Sequence, residues 1–201
     1  MTDENIVSTS NPFHSSRFRV IPPAVERLLI ILCLAWAFFH LLLAAEVFRL
    51  PAVKLRAIHL GAALLMIFIL VPFRKTSKER GPGIVDLAWI VAAVAAMGYT
   101  YFRHDTLIRM GGRYSPLDIQ MGILGLVVLF EAARRVVSPG LVYLAAFMLL
   151  YAYFGQSFPE PFNHVGYSVK RIVQHLYLTG EGVFGFILGV SAVIIIVFVL
   201  F

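Results

Sequence analysis

Cysteine is nearly absent: Cys33 is the single one in 201 residues. A disulfide framework and a cysteine-built metal site are thereby excluded. Polar sequence is also scarce. No mainly polar stretch exceeds about 25 residues, too little for a soluble domain to bury a core. Several catalytic signatures are missing. There is no HExxH, no Gly-x-Ser-x-Gly and no P-loop, so the sequence offers no zincin helix, no serine-hydrolase elbow and no ATP cradle, and no enzyme is expected. Acidic residues are few, 11 against 17 Lys and Arg, for a net charge of +6. In a soluble protein that balance would suggest nucleic acid. Here the basic residues fall between apolar runs, where they act as topology anchors, and no nucleic-acid partner is expected. A secretory signal is lacking too. The first apolar run is longer than a usual signal core, and no small-x-small cleavage site follows it. It reads as a retained span, preceded by a disordered cytoplasmic tail over residues 1–23.

What the chain does have is apolar sequence. Hydrophobic residues make up 60% and the mean hydropathy is +0.84. The fold class that follows is all-α: a polytopic transmembrane helical bundle with five complete spans and the first helix of a following domain. Span one is expected from Ala24 to Phe48, after Pro22-Pro23, and span two from Ala52 to Val71. The short Arg49-Leu50-Pro51 link makes them an antiparallel hairpin. A polar loop with Arg74, Lys75, Lys78 and Arg80 leads through Gly81-Pro82-Gly83 to span three, Ile84 to Phe102. Its small residues Ala88, Ala92, Ala95, Ala96 and Gly98 suggest a helix inside the bundle. Ser115-Pro116-Leu117-Asp118 reads as a capping box for span four, Pro116 to Val137. Ser138-Pro139-Gly140 turns at once into span five, Pro139 to Phe154. Residues 24–154 thus form a five-span membrane domain.

Residues 155–181 are expected to leave the bilayer as a periplasmic loop. Val169, Ile172, Val173, Leu176 and Tyr177 have the spacing of an interfacial helix capped by Ser168, with a plain loop as the alternative. From Gly182 to Phe201 the sequence is apolar again and about long enough to span a bilayer. No Lys or Arg follows it, so it reads as the truncated start of a larger domain over 182–201. Gly182, Gly185, Gly189 and Ala192 recur at helical spacing and predict a helix-packing face. The basic residues set orientation by density more than by total, with nine on one side and eight on the other. The two clearest short basic loops share a side with the N-terminus, which places that terminus inside.

Few residues could carry chemistry. Glu131 reaches Arg134 and Arg135 at i+3 and i+4 near the end of span four. The cluster reads as an interfacial anchor and topology signal, with a contact to a neighbouring subunit or a charged path as the alternative. His40 and His59 fall at similar distances from the span one–two turn, so they could share a depth. An interhelical hydrogen bond is the simpler reading, and haem ligation in a membrane redox subunit the sharper one. Asp86 and Asp118 sit in first helical turns, where the helix dipole and capping explain them. Glu46 falls at the end of span one. No span is broken by Gly or Pro at its middle, so the signature of a transport site is missing.

His175-Leu176-Tyr177-Leu178, Glu181-Gly182, Phe184-Gly185 and Leu188-Gly189-Val190-Ser191-Ala192 resemble the junction of fused permeases of the tripartite ATP-independent periplasmic (TRAP) transporters. In this resemblance the motif residues are His175, Leu176, Tyr177, Glu181, Gly182, Gly185, Gly189 and Ser191. Glu131-Ala132-Ala133-Arg134-Arg135 is also similar to a family motif before a tight turn. The chain departs from the pattern at Thr179-Gly180. The resemblance implies a bacterial inner-membrane permease component whose residues act as scaffold, joined to a large transport domain. It also implies a periplasmic TAXI-type binding protein as partner and small organic acids as substrates. This chain would hold no cofactor; the coupling ion, usually sodium, would bind in the transport domain. A non-transporting assembly or accessory protein is the remaining alternative.

Overall fold

A computed structural model describes residues 18–19, 21–74 and 81–200. Most of the expected tail, together with Lys75, Lys78 and Arg80 of the first basic loop, lies outside the described residues, as does Phe201. The described residues form helices and no strands. Five helices are long and apolar enough to cross a membrane. They are α1 (Pro23–Ala44), α2 (Ala52–Leu70), α3 (Ile84–Arg109), α4 (Pro116–Val136) and α5 (Pro139–Phe154), the last extended to Ser157 by a 3-10 turn. Two shorter segments follow. α6 (Val169–Val173) continues into a π-helical turn, Gln174–Leu178, and α7 covers Phe186–Leu200 with a π-helical turn at Ser191–Ile195.

The helix ends follow local chemistry. Proline opens α1, α4 and α5, where its missing N–H is no loss. The capping box of α4 forms as expected: Ser115 Oγ accepts from the Asp118 N–H, and the Asp118 carboxylate accepts from the Ser115 N–H. α1 stops four residues before Phe48, because Glu46 takes a left-handed backbone with φ of 53°. α3 runs to Arg109, well past the expected end at Phe102. No glycine or proline falls between Phe102 and Gly111, and the Lys54–Asp105 pair ties the extension to α2 at 2.6 Å.

α2, α3 and α4 make the core. Leu64 and Phe68 of α2, Ala93, Ala96 and Met97 of α3, and Val128 and Ala132 of α4 are buried together. The small residues of α3 divide differently from the expectation. Ala96 is buried, but Ala88 and Ala95 face outward. The buried stripe is Ala93, Ala96, Met97, Thr100, His104 and Leu107, one helical face. α1 packs on α2 and α7 and buries only His40. α5 buries no residue.

The segment after α5 packs partly against the bundle. Residues 155–167 fold back on the end of α5, where Tyr167 N–H donates to the Ala152 carbonyl at 2.8 Å. The Ser168 cap forms on the Arg171 N–H. The chain then enters the bundle. Val173 and Tyr177 are buried against α4, and Tyr177 shares a core with Phe68 and Ala96. Of the amphipathic stripe, Val173 and Tyr177 are buried by protein, Ile172 and Leu176 are half-buried, and Val169 is exposed.

Candidate functional site

Three polar constellations pin this architecture. The first holds the ends of α2, α3 and α4. Glu131 accepts from Arg134 Nε at 2.7 Å and from Arg135 Nε at 2.7 Å. Arg135 turns inward, donating from Nη1 to Asp86 Oδ1 at 2.7 Å and to the Val71 carbonyl at 2.9 Å. Asp86 is also paired with Arg19, whose backbone N–H bonds the Leu70 carbonyl at 2.9 Å. The Arg135 guanidinium lies 4.8 Å from the Phe68 ring. Arg19, Asp86 and Arg135 have side chains at most 4% exposed.

This corrects two expectations. Asp86 does cap α3, accepting from the Gly83 N–H, but it is chiefly the acid between two buried guanidiniums. Arg134 is half exposed, whereas Arg135 is interior. Desolvating such charges is costly, and removing one partner leaves the other stranded. The arrangement therefore fixes which helix ends meet. Nothing in the sequence linked residue 19 to residue 86; only the rarity of acids in spans pointed to Asp86.

The second constellation joins α1, α2 and α7. His59 Nδ1 is 3.1 Å from His40 Nε2, and His59 Nε2 is 3.2 Å from Ser191 Oγ. His40 is also hydrogen-bonded to the Ala192 backbone. With both rings neutral, one direction of donation satisfies every group: Ser191 to His59, His59 to His40, His40 to the Ala192 carbonyl. The shared depth expected of these histidines is therefore present. Haem ligation is not a fit. Axial haem ligands stand on opposite faces of the porphyrin with iron between them, and here the two nitrogens are 3.1 Å apart with nothing between. Among the described residues, no group of three or more His, Cys, Asp or Glu could hold a metal ion.

The third is the segment that carries the junction motif. The Tyr177 hydroxyl donates to the Ala96 carbonyl at 3.2 Å, with the Thr100 hydroxyl 3.3 Å away. Burial pushes its pKa up to about 12, so it stays a donor. Its ring occupies the place a side chain on Gly125 would take, and Val173 does the same at Gly122. These two α4 glycines were the site residues that sequence reasoning missed; their i, i+3 spacing was the available signal. Beyond Tyr177, Thr179 Oγ1 donates to the His175 carbonyl at 2.8 Å, and the Val183 N–H donates to the Leu176 carbonyl at 2.7 Å. Leu176 itself lies half-buried between α4 and α5. His175 and Glu181 stay exposed, 3.9 Å apart.

The expected packing face of Gly182, Gly185, Gly189 and Ala192 divides in two. α7 begins at Phe186, so Gly182 and Gly185 precede it. A Cβ on Gly182 would overlap the Leu176 carbonyl, and one on Gly185 the Glu181 carbonyl. They are close-approach positions of a turn. Gly189 and Ala192 do face the bundle from α7. Gly189 lies under the Arg56 guanidinium, which donates to the Phe184 carbonyl at 2.6 Å. Ala192 is buried beside His40. Compared with known proteins, the chain matches no family model, no curated protein and no solved structure.

Proposed function

We propose that this chain is the scaffold part of a TRAP-type permease, a binding-protein-dependent secondary transporter of small organic acids driven by an ion gradient. Its role is non-catalytic. It holds the first helix of a large transport domain in fixed register with a five-helix bundle in the bacterial inner membrane, N-terminus inside. The periplasmic partner is a TAXI-type binding protein, and sodium binds in the transport domain.

One observation carries this reading. Several of the residues that resemble the fused-permease junction tie the following helix to the bundle, while His175 and Glu181 stay exposed. Tyr177 fills the glycine notch of α4, Gly182 and Gly185 allow the tight turn, and Gly189 and Ser191 meet Arg56 and His59 of α2. A flexible linker has no use for such contacts. A scaffold that must resist the motion of a transport domain does.

The test is reconstitution of the chain with the remainder of the permease and the binding protein in vesicles. Sodium-driven uptake of an organic acid is expected only when all parts are present, and none from this chain alone. Uptake that persists when the chain is omitted would overturn the assignment, as would sodium-driven uptake by the isolated chain.

A further inference from the structure

Two cavities follow one side of α5. The first, about 440 Å³, runs between α4 and α5, and its walls include Leu129, Phe130, Ala133, Leu141, Ala145 and Leu149. No charged side chain lines it. The second, about 470 Å³, lies between α5 and α6, with Tyr167, Arg171 and His175 in its wall. Met148, Leu149 and Leu176 border both, so the two form one trough. On α5 it extends from Leu141 to Ala152, ~17 Å at the rise of an α-helix. Each part falls in the size range of sites that hold small molecules.

The trough is apolar along its length and basic at one end. Arg171 is exposed, stacks on the Tyr167 ring at 5.5 Å, and has no carboxylate partner among the described residues. Lys170 is beside it in sequence and equally exposed. Glu181 faces His175 instead. Arg171 shares its cavity with Ala152, within a turn of the end of α5, where a span meets the headgroup layer.

We propose that this trough binds an anionic phospholipid, with one acyl chain between α4 and α5 and the headgroup phosphate on Arg171. The charge pattern selects this occupant. A neutral apolar helix would cover the groove but bring nothing to Arg171, whereas a lipid supplies the chain and the anion in one molecule. Guanidinium suits phosphate through paired N–H donors, and basic pockets between membrane helices bind lipid headgroups. The inference rests only on the helical bundle and stands apart from the transport role.

The full chain, purified in mild detergent, can be titrated with phosphatidylglycerol, phosphatidylcholine or glycerol 3-phosphate and read by native mass spectrometry. Phosphatidylglycerol is expected to be retained best, and glycerol 3-phosphate alone not at all. Arg171→Gln is expected to weaken phosphatidylglycerol about fivefold, to the level of phosphatidylcholine, and Arg171→Lys to preserve the preference. Ala145→Phe, which fills the apolar part, is expected to weaken both lipids. Because Arg171 is exposed, its substitutions leave the bundle intact and remain informative even if Ala145→Phe fails to fold. Equal retention of the two lipids, indifference to Arg171→Gln, or glycerol 3-phosphate binding as well as the lipid would overturn the proposal.

Discussion

α4 and α5 are neighbours in sequence, joined by one turn at Ser138, and both are apolar enough to cross a membrane. A third of the most apolar stretch of α4 is buried, against 6% for α5. Apolarity does not separate them. α4 carries Gly122, Gly125, Asp118, Glu131 and Arg135, all buried, while α5 carries no charge and buries nothing. In lipid, an apolar side chain gains little by leaving the acyl chains for another helix. Association comes from close packing at small residues and from polar contacts. α4 has both in its buried face and sits at the centre; α5 buries neither, its polar contacts go to the segment that follows it, and it lies along the edge.

Three substitutions can break or sharpen this comparison, each read by equilibrium unfolding of the purified chain in detergent micelles. The largest effect is expected at Asp86. Asp86→Ala strands the Arg19 and Arg135 guanidiniums in the interior and should cost about 3–5 kcal/mol. A loss below 1 kcal/mol, on the order of an exposed pair, would show that the ion pairs do not bind these helix ends together. Gly125→Leu comes next. The new side chain competes with the Tyr177 ring for one space, and overpacking of this kind costs about 1–3 kcal/mol. If stability is unchanged, the buried segment is not held by the α4 notch. Phe147→Ala on α5 is the smallest. Its ring is exposed, and the change should fall within about 0.5 kcal/mol. A loss as large as that of Gly125→Leu would mean that the outer face of α5 packs after all.

The five spans could be read from residue order because length, hydropathy and proline position are local properties. α5 has the same limits in sequence and structure. So does the capping box of α4, which needs only Ser115 and Asp118. The i+3 and i+4 pairs of Glu131 were legible for the same reason. What the sequence left hidden depends on distant partners. Asp86 serves equally well as a helix cap or as the counter-ion of Arg19 and Arg135, and no spacing rule relates residues 19, 86 and 135. The histidines are an intermediate case: rise per residue placed them at one depth, but their facing is set by how α1 rotates against α2. The glycines at 182 and 185 misled because a regular interval was taken as a helical face. Their crowding against the backbone of residues 176 and 181 arises from a turn that periodicity does not describe.

The notch at Gly122 and Gly125 also bears on how the molecule is made. A membrane chain is inserted from its N-terminus, so α3 and α4 are present before Val173 and Tyr177 have been synthesised. Until those residues arrive, the two glycines border an unfilled slot and the Ala96 carbonyl lacks its tyrosine. The five spans are therefore not a finished body to which a sixth helix is later attached. Their assembly is completed by the segment that leads out of them, and the newly made bundle stays open to its own downstream chain until that segment seats.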